Sequence, residues 1–171
     1  NATINLVSVG RLNYQKGYDL AIEVCGKLIK KGYDIKWNII GDGEERTNLE
    51  KLIKEYNLED RFVLLGIKEN PYPYVRNADI YVQTSRFEGK SIAIDEAKIL
   101  NKPILITNFS TAKDQISNGE DGLIVDMDVD SIVKGLEVLI NDENLRGKLV
   151  NNLSKEQLGT ENEINKLYDL F

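Results

Sequence analysis

The sequence predicts an α/β domain: a doubly wound, Rossmann-like parallel sheet with helices on both faces. Three observations carry that prediction. Short runs rich in Ile, Val and Leu recur along the chain, with amphipathic helical segments between them. The runs are apolar nearly throughout, as strands covered on both faces are, instead of alternating with polar residues. Glycine and polar residues follow several runs directly, at Gly10-Arg11, Gly41-Asp42-Gly43, Gly66 and Ser85-Arg86. Right-handed crossovers between parallel strands then give the doubly wound arrangement.

The elements follow in order. Ile4–Val9 is the first strand, and 18–31 the first helix, with Leu20, Ala21, Val24, Leu28 and Ile29 at helical spacing. Strand Ile35–Ile40 leads to a helix over 44–56 that puts Leu49, Leu52, Ile53 and Tyr56 on one face. A strand over 62–65, a short helix around 71–77 and strand Ile80–Gln83 come next. A helix over 91–100 precedes a strand over 104–106, a short helix near 111–116 and a strand over 122–125. The tail is helical at 130–140 and 143–155. Thr160-Glu161-Asn162-Glu163 has the form of a capping box opening a last helix, and 158–160 ahead of it reads as a hinge or linker.

Composition narrows the function. At 171 residues the chain is one domain with room for an ordinary core. It has no histidine, which excludes a histidine triad or a histidine metal site within this segment. The net charge of −6 argues against nucleic-acid binding, although a local cationic pocket can exist in an acidic protein. The single cysteine, Cys25, lies in an apolar helical pattern, so no intrachain disulfide forms and the cytoplasm is the expected compartment. No apolar run approaches a membrane span. The chain opens on Asn, not Met, so a fragment whose partner half is missing is expected.

Two glutamates eight positions apart, Glu88 and Glu96, flank the start of the 91–100 helix. Loop plus helical rise put their carboxylates on the order of 10 Å apart, too far for one acid/base pair on one bond. That spacing suits gripping a long polyhydroxylated ligand at two points, with an anion held between them at the helix N-terminus. Far upstream, Gly10-Arg11-Leu12-Asn13-Tyr14-Gln15-Lys16-Gly17 follows the first strand. Arg11 offers a planar fork and Lys16 a mobile point charge, and together they can neutralise a diphosphate. The flanking glycines fit a close backbone approach to a ligand. Arg11, Gly41, Gly66, Ser85 and Glu88 all fall beyond the carboxyl ends of strands, where ligands bind in such sheets.

Taken together, the ordered pieces Gly10-Arg11 through Lys16-Gly17, Ile40-Gly41-Asp42-Gly43, Leu65-Gly66, Ala78-Asp79, Ser85, Glu88-Gly89, Glu96-Ala97, Lys102-Pro103 and Gly122-Leu123 span almost the whole chain. In order and spacing it resembles the C-terminal, nucleotide-sugar-binding half of a retaining GT-B glycosyltransferase of the GT4 type, also called group 1. The resemblance implies transfer of a sugar from a nucleoside diphosphate to an acceptor with retained configuration, in polysaccharide or glycoconjugate synthesis. It implies Glu88, Arg11 and Lys16 as catalytic residues. Gly10, Gly17, Ile67, Gly89, Lys90, Ser91 and Glu96 become donor-binding residues, Glu96 through the ribose hydroxyls. The implied partners are a nucleotide sugar and an N-terminal acceptor domain, and any peripheral membrane contact belongs to that missing half. No metal or other cofactor is expected. The sequence Glu88-Gly89-Lys90-Ser91 departs from the commoner Phe-Gly after Glu-Gly, which leaves the donor sugar open; Lys90 faces either donor or solvent.

Competing readings remain. A non-catalytic nucleotide-sugar-binding module or partner subunit would keep the same pocket, and Rossmann-like folds host both. An epimerase or phosphorylase relative is disfavoured by the lack of histidine and of a pyridoxal-phosphate lysine motif. Asp126-Met127-Asp128 has a metal-motif appearance, but aspartate before a helix is expected to cap it. Gly41-Asp42-Gly43 is expected to be a turn at a strand end. Tyr14 is a packing residue or a cover for the ligand.

Overall fold

The computed structural model describes residues 2–169, with side chains through residue 157. Six strands form one sheet, β1 (Ile4–Val9), β2 (Ile35–Ile40), β3 (Phe62–Gly66), β4 (Ile80–Gln83), β5 (Ile104–Thr107) and β6 (Leu123–Val125), in the order β3-β2-β1-β4-β5-β6. All neighbours are parallel. This is the doubly wound order, and the winding reverses between β1 and β4, which opens a crevice at their carboxyl ends.

Helices α1 (Tyr18–Lys30), α2 (Arg46–Glu55), α6 (Val129–Asn141) and α7 (Glu143–Asp169) enclose one core cluster, around Leu6, Trp37, Ile80 and Leu105. Helices α3 (Tyr72–Arg76), α4 (Ile92–Ile99) and α5 (Ala112–Gln115) enclose another, around Val7, Tyr81, Ile104 and Ile106. Adjacent residues of one strand, Leu6 and Val7, serve opposite clusters. That is why the strands read as unbroken apolar runs. Trp37 is fully buried, its ring 5.4 Å from Phe62, and its indole N–H donates to the Ser8 hydroxyl at 3.0 Å. Truncating it to Ala would cost about 3–5 kcal/mol. Cys25 is a small core side chain whose thiol is pushed up to about 12 by burial.

Most element boundaries match the periodicity to within two residues. A one-turn 3-10 helix, Tyr14–Lys16, was not legible, because Asn13 caps it locally by accepting the Lys16 N–H. The tail differs more. Helix α7 runs 27 residues without interruption, so 158–160 is neither hinge nor linker, and Thr160-Glu161-Asn162-Glu163 lies inside a helix and opens none. The helix carries two glycines, Gly147 and Gly159, each tolerated within a long helix at a cost of about 1 kcal/mol. The side chains of that stretch lie outside the described residues. Among the described residues, no helix is long and apolar enough to cross a membrane.

Candidate active site

Two loops meet at the crevice. One leaves β1 and passes through the 3-10 helix into α1, and the other leaves β4 and enters α4. Their backbones are pressed together by glycine. Gly17 adopts a left-handed φ of 66°, and a Cβ there would lie 2.1 Å from the Thr84 carbonyl oxygen. The Thr84 hydroxyl returns the contact by donating to the carbonyls of Lys16 and Gly17 at 2.9 and 3.2 Å. A Cβ on Gly10 would sit 2.8 Å from the Lys16 side chain. Close packing within the protein thus requires glycine at position 17, where the obstacle is backbone, and at position 10 the neighbour is the end of the flexible Lys16 side chain. Gly89 has open space around it.

Side chains complete the join. The Arg86 guanidinium makes a two-pronged ion pair with Asp19, at 2.9 and 2.8 Å, donates to the Tyr14 carbonyl at 2.7 Å and stacks 3.9 Å above the Tyr14 ring. Burial alone would raise the Asp19 carboxyl, but hydrogen bonds and charge from Arg86 outweigh it and hold Asp19 below the usual carboxylate range. Gln15 donates to the Phe87 carbonyl at 3.0 Å. The exposed Tyr14 ring is thus a stacking surface for Arg86.

At the centre lies Glu88. Its Oε2 accepts from Lys16 Nζ at 2.6 Å, from the Ser85 hydroxyl at 2.6 Å and from Gln83 Nε2 at 3.1 Å. Its Oε1 accepts from Gln15 Nε2 at 3.3 Å. The side chains of Lys16 and Glu88 are 17% and 6% exposed. The negative charge of Glu88 also helps to raise the hydroxyl of Tyr18 behind it, after burial and the neighbouring Tyr81.

The other expected site residues are placed as follows. Arg11 stands on the rim, 70% exposed, in a 3.3 Å surface pair with Glu44 and apart from the Lys16–Glu88 cluster. Lys90 is exposed, 3.7 Å from Asp95. Ser91 is buried and caps α4: its hydroxyl accepts the Ile94 N–H, while its own N–H donates to Gln115 Oε1. Among the described residues, the N–H groups without a partner at that end belong to Ile92 and Ala93, the first in the helix. The Glu96 carboxylate, one turn on, makes no hydrogen bond or ion pair among the described residues, although its charge reaches the buried Tyr81 hydroxyl. Ile67 is exposed just beyond β3. Asp128 caps α6 by accepting the Ser131 N–H at 2.7 Å, as expected of an aspartate before a helix. Gly41 continues the strand end in a bridge with Gly66 and packs against the Gly10 carbonyl, and the chain turns just after, at Glu44 and Glu45, where Arg46 N–H donates to the Gly43 carbonyl at 3.2 Å. Among the described residues, no group of three or more metal-ligating side chains comes together.

Sequence reasoning missed Gln15, Gln83 and Gln115. Gln83 carried a faint signal, as the polar end of an otherwise apolar strand. Gln15 and Gln115 carried none, because their partners lie far away in sequence.

The model of the family described as "Glycosyl transferases group 1" matches residues 3–156. The chain belongs to the group 1 glycosyltransferases. Among curated members it is 34% identical over 143 residues to the N-acetylgalactosamine-N,N'-diacetylbacillosaminyl-diphospho-undecaprenol 4-alpha-N-acetylgalactosaminyltransferase of Campylobacter jejuni, with 82% of this chain and 38% of that protein covered. It is 31% identical over 146 residues to the capsular polysaccharide biosynthesis glycosyltransferase CapM of Staphylococcus aureus, covering 84% and 38%. The chain thus spans about two fifths of the length of these curated glycosyltransferases. The crystallised C-terminal domain of the group 1 protein LpcC from Francisella tularensis superposes with a TM-score of 0.76 at 26% identity, covering 88% of this chain and 82% of that one. Staphylococcus aureus TarM, crystallised with fondaparinux, alpha-GlcNAc-glycerol and UDP, shares the fold with a TM-score of 0.85 at 24% identity, covering 98% and 35%. The group 1 fold accounts for the crevice at the β1/β4 reversal.

Proposed function

We propose that this chain is the single donor-binding domain of a retaining, metal-independent GT4-type glycosyltransferase. The observation that carries the reading is the Lys16–Glu88 cluster, seated where the sheet reverses and beside the N-terminus of α4. HepE of Anabaena, which shares the fold with a TM-score of 0.83 at 17% identity, was crystallised with UDP and glucose. A nucleoside diphosphate sugar fits the same crevice chemistry. Lys16 and the first N–H groups of α4 bear on the diphosphate, and Arg11 reaches in from the rim. The Glu96 carboxylate, uncommitted to any protein group, accepts the ribose hydroxyls. Glu88 stands beside the donor sugar.

Catalysis is then mostly electrostatic, because fixed cations and helix N–H groups stabilise charge that grows on the departing diphosphate. The bond from the sugar anomeric carbon to the β-phosphate oxygen breaks. The acceptor oxygen bonds the same face of that carbon, and its proton passes to the leaving phosphate. The acceptor is held by an N-terminal domain of the longer protein, in polysaccharide or glycoconjugate synthesis, and any membrane contact lies in that domain. The commitment of Glu88 to internal partners favours a second reading, a domain that binds nucleotide sugar without turnover.

Calorimetry of this chain with UDP, GDP, ADP and their sugars, in chelator, tests the proposal. One nucleoside diphosphate should bind without metal. Binding that appears only with Mg²⁺ or Mn²⁺ overturns the metal-independent reading. Transfer by the longer protein that is lost in Glu88→Gln separates the enzyme from the passive module.

A further inference from the structure

Glu88 is oriented from behind by a directed chain of hydrogen bonds that starts in the sheet. Tyr81 is wholly buried, and its hydroxyl donates to Gln83 Oε1 at 2.8 Å. The Ser91 hydroxyl donates to the same oxygen at 3.3 Å. Two donors on the carbonyl oxygen fix which way the amide points, so its NH₂ must face Glu88 Oε2, 3.1 Å away. Gln83 is 4% exposed, so water does not substitute for these contacts. Gln83 therefore links β4, the cap of α4 and Glu88 in one buried unit.

We propose that Gln83 is a positioning residue that holds the Glu88 carboxylate at a single rotation toward the donor sugar. With Oε2 saturated by Lys16, Ser85 and Gln83, the oxygen left to accept a sugar hydroxyl is Oε1, which has only the 3.3 Å contact with Gln15. The inference rests on the reading of this crevice as a nucleotide-sugar site. It adds the residue that selects for the sugar half of the donor without touching it. The position requires a neutral group that accepts from the Tyr81 and Ser91 hydroxyls and donates to Glu88. An aliphatic residue leaves the Tyr81 and Ser91 hydroxyls without their acceptor, and a carboxylate repels Glu88.

The test compares UDP with UDP-glucose and UDP-N-acetylglucosamine by calorimetry on the wild-type chain, Gln83→Leu and Gln83→Glu. The readout is the ratio of the UDP Kd to the UDP-sugar Kd. Gln83→Leu should lower that ratio about tenfold while leaving the UDP Kd within about twofold, the size of one hydrogen bond to a charged group. Gln83→Glu should show the low ratio near about pH 8 and recover toward wild type as pH falls toward about 5.5, because burial beside the Glu88 carboxylate raises the introduced carboxyl, which then takes up a proton and can donate to Glu88. An unchanged ratio in Gln83→Leu overturns the proposal. If Gln83→Leu loses UDP as well, its fold has failed and the Gln83→Glu titration decides, with a pH-independent ratio overturning the proposal. Where GDP or ADP binds in place of UDP, the same ratio is read with that nucleotide and its sugars; a wild-type chain that binds none of UDP, GDP, ADP and their sugars overturns the reading of the crevice beneath it, and this inference with it.

Discussion

The Lys16 ammonium lies 2.6 Å from Glu88 Oε2, across 72 residues of chain, and both side chains are largely withdrawn from water. Cation and carboxylate thus form one unit before any ligand is bound. Removing one partner of a buried pair strands the other. Lys16→Met should lower stability by about 3 kcal/mol, and the double variant Lys16→Met/Glu88→Gln should recover part of that loss. Urea denaturation of wild type, Lys16→Met, Glu88→Gln and the double variant reads the coupling. Losses that simply add would mean the two groups act independently.

Glycine at position 17 is imposed by the Thr84 carbonyl, which leaves no room for a methyl group and faces a left-handed backbone. Gly17→Ala should therefore cost about 2 kcal/mol or more. Gly89→Ala, with open space around it, should shift the melting temperature by no more than about 2 °C. Comparable losses in the two variants would contradict this packing account of the loop.

Arg86 gives the site a pH signature. Asp19 titrates below its ordinary range because Arg86 overcomes the effect of burial. A carboxylate depressed in the folded state stabilises fully above its unfolded pKa, about 3.9, and loses that contribution as pH falls through the lower folded value. The melting-temperature gap between wild type and Arg86→Gln should be widest above about pH 5 and should narrow as pH falls below about 4. A gap that widens in acid reverses the sign and rules the mechanism out.

The Glu96 carboxylate has no polar partner to lose among the described residues, so Glu96→Gln should leave stability within about 0.5 kcal/mol. Under the proposed function it should weaken UDP binding by about 1–3 kcal/mol, the worth of hydrogen bonds to a charged group. A melting-temperature drop with unchanged UDP affinity would assign Glu96 a structural role instead.

The strands were legible because continuous apolar runs have one physical use, burial on both faces, as Leu6 and Val7 show by serving opposite clusters. The crevice was legible for the same topological reason. Less could be read of how the site is held. Arg86 with Asp19, and Gln83 with Tyr81 and Ser91, are bonds between side chains brought together by the fold, and no local spacing announces them. Nor could a residue's partner be inferred from its charge. Arg11 and Lys16 are both loop cations, yet one pairs on the surface and the other within. The continuity of α7 was hidden because a glycine and a capping-box pattern imitate a helix boundary, and only the realised backbone overrules them.

The junction of β1 and β4 has a consequence for the order of events during folding. Those strands pair in register only at Leu6 with Ile80 and Val7 with Tyr81. On one side, β1 to β3 form from a contiguous stretch, and on the other, β4 to β6 do the same. Each half can begin to assemble from nearby contacts, whereas joining them closes a long loop and must await its entropy cost. Until that seam zips, Glu88 has no ammonium and Gly17 has no carbonyl to press against. The crevice is therefore born late, as the mark of a chain whose halves have found each other, and a ligand that fits it would report completed folding.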